Sequence, residues 1–96
     1  MNASTTREEI RDAVLAALRE FLGDKAPPEI TEATDPIKDL GLDSPDGLDF
    51  ACVLSDLCGC MVPEDVNPFV DDARHRSRKV GEIIELMRDL LARTSS

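Results

Sequence analysis

The chain has 96 residues, 42% of them hydrophobic, enough for one domain around a single modest core. Its 20 acidic and 11 basic residues give a formal net charge of −9, which disfavours nucleic acid and anionic membranes as partners and favours basic protein surfaces. No apolar run approaches the about 18 residues of a membrane span, and three cysteines without a leader-like start suit a reduced, cytoplasmic protein better than a disulfide scaffold.

The first predicted helix runs from about residue 5 to 22. Ile10, Val14, Ala17, Leu18, Phe21 and Leu22 recur at three- and four-residue spacing, an apolar stripe meant for a core. Ser4, Thr5 or Thr6 suits the cap, Glu8 and Glu9 fall in the first turn, and Gly23 suits the stop. A long connection from Asp24 to Leu42 follows, with Pro27, Pro28 and Pro36. Structureless loops of this length are uncommon in small domains and often functional. Ile30, Ile37 and Leu40 are the residues expected to pin it to the core.

The stretch Asp39-Leu40-Gly41-Leu42-Asp43-Ser44-Pro45-Asp46 ends that loop and starts a second helix. Ser44 suits the N-cap and Pro45 the first helical position, where a missing N–H costs nothing. Asp46 and Asp49 would meet the positive end of the helix dipole. The helix is predicted over 45–58, with Gly59 past its end. Phe50, Ala51, Leu54, Leu57 and Cys58 fall on or beside one face, with Leu48 at its margin. The opposite face carries Asp46 at its edge, then Asp49, Cys52, Val53 and Asp56. Carboxylates mixed with small apolar groups make a plausible docking face for a basic partner. Gly47 inside the helix costs about 0.5–1 kcal/mol relative to Ala, and two readings of it stand open, room for the close approach of a partner's backbone or drift.

After Val62-Pro63-Glu64-Asp65 a short helix is predicted over 69–75. The last helix is predicted over 78–92, with Val80, Ile83, Ile84, Met87, Leu90 and Leu91 inward, and Thr94-Ser95-Ser96 as a frayed tail. Charge is unevenly spread: Glu29 to Asp72 holds twelve acids and one base, Lys38, whereas Arg74 to Lys79 holds four bases and no acid.

The run Asp39-Leu40-Gly41-Leu42-Asp43-Ser44 before a helix resembles the modification site of acyl carrier proteins, and the order of elements from Glu8 to Leu91 is similar to theirs. The resemblance implies an all-α fold, a four-helix bundle with a long loop between helices 1 and 2 and a short third helix. It implies phosphopantetheine joined to Ser44 by a phosphodiester, with Asp43 as the acidic residue before it. The arm's thiol would carry acyl groups as thioesters for fatty-acid, lipid or polyketide-type biosynthesis. The implied partners are a phosphopantetheinyl transferase and acyl-transferring and condensing enzymes with basic docking patches, reading Asp46, Asp49, Cys52, Val53 and Asp56. The chain itself would be a monomer and not an enzyme. Pro45 stands where the family normally has Leu, and residues 68–76 form an insertion relative to its short members. Phe69 and Val70 there are expected either to roof a groove between the second and last helices or to belong to a solvated loop whose bases offset nearby acids.

Two further readings stay open. Aminoacyl or peptidyl carriers share the mechanism but usually have Gly-Gly or Gly-His near the serine. An unmodified interaction module would use Ser44 as a cap alone. Cys52, Cys58, Cys60 and His75 lack the spacing of a metal site, Asp43, Asp46 and Asp49 miss the spacing of a calcium loop, and His75 has no organised nucleophile beside it in the sequence.

Overall fold

A computed structural model of the protein describes residues 1, 2 and 4–94, so Ser95 and Ser96 of the expected tail lie outside the described residues. Three α-helices form the body: α1, Arg7–Leu22; α2, Ser44–Cys58; and α3, Val80–Thr94. A 3-10 turn, Gly23–Lys25, follows α1, and a two-stranded antiparallel hairpin, β1 (Val70–Asp71) and β2 (Arg76–Ser77), stands before α3. The expectation of an all-α, four-helix bundle holds in its coarser part: among the described residues the protein is mostly helical, with three α-helices, and a hairpin stands where the short third helix over 69–75 was expected.

Thr6 caps α1 through a reciprocal box. Its hydroxyl accepts from Glu9 N–H at 3.2 Å, while Glu9 Oε1 accepts from Thr6 N–H at 3.0 Å. Gly23 ends the helix with φ 59°, a backbone state that favours glycine. Ile10, Val14, Ala17 and Leu18 are buried, as the stripe predicts, with Phe21 and Leu22 half-buried at its end. Both other helices pack against α1, which makes it the middle of the molecule. From α3 the core receives Val80, Ile83, Ile84, Met87, Leu90 and Leu91, the six residues its periodicity selects.

The second helix departs from expectation on one side. Its buried line is Gly47, Phe50, Leu54 and Cys58, and Leu57 lies off that line with 45% of its surface exposed. Leu48 is also exposed, at 51%. Val53, expected on the outward face, is instead half-buried against the core.

The largest correction concerns residues 69–75. Phe69 is fully buried and joins Phe21 and Phe50 in a cluster of the chain's three phenylalanines. Phe50 and Phe69 stack with ring centres 5.2 Å apart, and Phe21 makes T-shaped contacts with them at 5.6 and 6.5 Å. With Phe69 anchored inward, the chain behind it turns back on itself. Arg78 N–H donates to Phe69 carbonyl at 2.8 Å, and Val70 and Asp71 pair with Ser77 and Arg76. Residues 72–75 close the hairpin, with Asp71 Oδ1 accepting from Arg74 N–H and His75 at φ 54°. β-branched Val70 fits this extended state better than a helix.

Candidate functional site

The loop before Ser44 is built, not slack. Asp35, only 6% exposed, accepts through Oδ1 from the N–H groups of Ile37 and Lys38 at 2.9 and 3.0 Å. Its Oδ2 accepts from the Ser77 hydroxyl of β2. The chain then makes one tight turn, in which Leu42 N–H donates to Pro36 carbonyl at 3.1 Å around Gly41 at φ 71°. This closure reaches back six residues, one more than the 6→1 bond that commonly ends a helix at a left-handed glycine, and it aims the chain into α2. Burial alone would raise the Asp35 carboxyl, but the donors from Ser77, Lys38 and Ile37 outweigh it and hold the group below its ordinary value.

Asp43, not Ser44, occupies the N-cap, with extended φ −105° and ψ 164°. Asp46 Oδ2 accepts from Asp43 N–H at 2.9 Å, so Asp46 is engaged in the cap. Ser44 is the first helical residue and Pro45 follows in the first turn, one step later than expected. The shift matters chemically. A capping hydroxyl would be tied down by backbone N–H groups, whereas Ser44 is an exposed residue on the first turn of α2, at the positive end of its dipole.

One side chain that sequence reasoning missed reaches this serine. Asn67 Nδ2 donates to Ser44 carbonyl at 2.8 Å and lies 3.4 Å from Ser44 Oγ. Gly47 makes the approach possible, because a Cβ there would stand 1.8 Å from Asn67 Oδ1. The space at Gly47 is thus taken within the chain, by a side chain and not by a partner's backbone. A paired signal was present, a glycine inside a helix and an Asn-Pro step between apolar residues, but nothing local joins positions 47 and 67.

No family model, curated protein or solved structure matches this chain. The site therefore stands on its own geometry. Of the expected docking residues, Asp49, Cys52 and Asp56 are exposed on α2, while Asp46 is drawn into the cap and Val53 turns toward the core. Cys52 and Asp56 border a groove of about 490 Å³, walled by Leu48, Ala51 and Cys52 on one side and Met61, Val62 and Val66 on the other. Met61 stands 83% exposed at its rim. Exposed leucine and methionine beside carboxylates make this the apolar flank of the acidic helix.

The basic cluster after residue 73 is largely occupied. Arg76 grips Glu82 at 2.6 and 3.2 Å, and Arg74 lies within 4 Å of both Asp71 and Glu82. Phe69 does not roof a groove; it fills the core. Among the cysteines, Cys58 and Cys60 are buried, and burial pushes both thiols above their ordinary value, so they remain protonated. Cys52 alone is exposed. No helix among the described residues is long and apolar enough to cross a membrane.

Proposed function

We propose that the chain is an acyl carrier, with phosphopantetheine attached through Ser44. The observation that carries this reading is the exposed Ser44 hydroxyl on the first turn of α2, reached through Asp39-Leu40-Gly41-Leu42-Asp43. The residues at that corner fit a phosphodiester. Oγ sits at the positive end of the helix dipole, which favours an anion, and the Asn67 amide supplies a donor beside it. The arm would supply a terminal thiol on which acyl groups ride as thioesters.

The chain's own residues would then do the presenting. Asp49 and Asp56, two turns apart on α2, offer carboxylates to lysines or arginines of acyl-transferring and condensing enzymes. The groove between α2 and residues 61–66 gives an apolar surface on the same helix. Catalysis belongs to those partners and not to this chain, whose net charge of −9 suits basic docking patches.

The decisive experiment is an intact-mass spectrum after incubation with coenzyme A and a broad-specificity phosphopantetheinyl transferase. One arm should be added to the parent and none to Ser44→Ala. Addition persisting in Ser44→Ala would move the site elsewhere; no addition to the parent would leave the second reading. That reading, an unmodified helical interaction module, is favoured by one observation: Asn67 bonds the Ser44 carbonyl, a join with structural value of its own.

A further inference from the structure

Asn67 is held at both ends. Its Oδ1 accepts from Phe69 N–H at 2.9 Å, and Phe69 is locked in the aromatic cluster. Its Nδ2 donates to Ser44 carbonyl at 2.8 Å and lies 3.4 Å from Ser44 Oγ. One amide nitrogen therefore bridges the main chain and the hydroxyl of the same residue. A carboxamide nitrogen carries two hydrogens and no acceptor, so toward Oγ it acts as a donor. The hydroxyl's own hydrogen is then left to point away from Asn67. Gly47 supplies the space in which this amide lies.

We infer that Asn67 is a positioning residue for chemistry at Ser44, holding Oγ in one rotamer with its O–H directed outward. The inference rests on the reading of Ser44 as the attachment point. In the transfer, the Ser44 Oγ–P bond forms and the phosphoanhydride of coenzyme A breaks. The nucleotide half leaves, and the hydroxyl proton passes to a base of the transferase. Asn67 makes and breaks no bond in this step. Its effect is to remove the search among about three staggered wells and to keep the attacking lone pair oriented. Losing it lowers the rate about three- to ten-fold.

The test is the rate of arm addition, followed by intact mass over a range of carrier concentrations. Asn67→Asp keeps the shape and the acceptor for Phe69 N–H but has no donor for Ser44, so it separates positioning from folding. Asn67→Asp and Asn67→Ala should both lower kcat about three- to ten-fold with KM nearly unchanged. The thermal midpoint of Asn67→Asp should fall by only the few degrees that loss of the one bond to Ser44 carbonyl brings, and the rates are compared well below it. Unchanged kcat, or a change confined to KM, overturns the inference while the attachment reading survives. No arm on the parent overturns both. A readout independent of transfer comes from the Asn67 side-chain amide resonances of the unmodified protein. Ser44→Ala should shift one of the two Nδ2 hydrogens and leave the other, which faces the carbonyl. Two unshifted hydrogens would show that the contact with Oγ does not exist.

Discussion

A methyl group at position 47 would lie 1.8 Å from Asn67 Oδ1, and that atom is the end of a side chain, not backbone. The clash can be relieved by swinging Asn67 away, so its cost is the bonds Asn67 would lose, to Ser44 carbonyl and from Phe69 N–H. Each such bond contributes about 0.5–1.5 kcal/mol, against a gain of about 0.5–1 kcal/mol for alanine over glycine in a helix. Gly47→Ala should therefore destabilise by about 1 kcal/mol in denaturant unfolding. In an Asn67→Ala background the obstacle is gone, and the same change should stabilise. Destabilisation of equal size in both backgrounds would show that the glycine answers to something other than Asn67. Ser44 belongs to the same arithmetic, since its carbonyl is one of the groups that Asn67 satisfies.

Among the elements, the helices were legible because their signals are local. Thr6 with Glu9, Gly23, Gly59 and the three- and four-residue spacing of Ile10 to Leu18 and of Val80 to Leu91 are all readable within a turn or two. The loop's closing turn was half legible: Gly41 marks it, but the role of Asp35 depends on Ser77, 42 residues away. The hairpin was not legible as such. Five polar residues between Val70 and Ser77 read equally well as a short helix, and only the burial of Phe69 decides the matter. That burial also separates two parts of residues 68–76. Phe69→Ala empties a fully buried site and should cost about 3–5 kcal/mol, a large fraction of the stability of so small a domain. Replacing residues 72–75 by a two-residue Asn-Gly turn should cost little and leave arm addition to Ser44 at the parental rate. The surface ion pairs lost with Arg74 are each worth about 0–1 kcal/mol. A large loss of stability from the turn replacement would show that the hairpin tip, and not Phe69 alone, holds this region.

At the scale of the whole molecule, the loop between α1 and α2 acts as a strap fastened to every other part. Arg19 on α1 donates to the carbonyls of Pro27 and Pro28 at 3.0 and 3.1 Å. Arg7 bridges Glu32 in the loop and Glu85 on α3. The first N–H groups of α3, from Val80 and Gly81, donate to the loop carbonyls of Thr34 and Glu32 at 2.8 and 2.9 Å. Asp35 then ties the strap to β2 through Ser77. The position of Ser44 is thus set by all three helices and the hairpin, and Asp35 is the buried ionisable link among them. Because its carboxyl is held below the ordinary value when folded, the unfolded chain binds its proton first as pH falls. The stabilisation from this group is complete above the ordinary carboxylate range and is lost as pH falls through the depressed folded value. Glu9, held low by the Thr6 amide and hydroxyl, and Glu32, held low by Arg7, add the same trend, while neutralising the excess of acids relieves self-repulsion and opposes it. The acid limb of the parent alone therefore mixes several groups, and the difference between parent and Asp35→Asn isolates one. That variant keeps an acceptor oxygen for Ile37 and Lys38 but has no charge to protonate. Its stability deficit in denaturant unfolding should be largest near neutral pH and shrink steadily below about pH 4. A deficit that stays constant across that range would show that Asp35 contributes shape and hydrogen bonds but not charge.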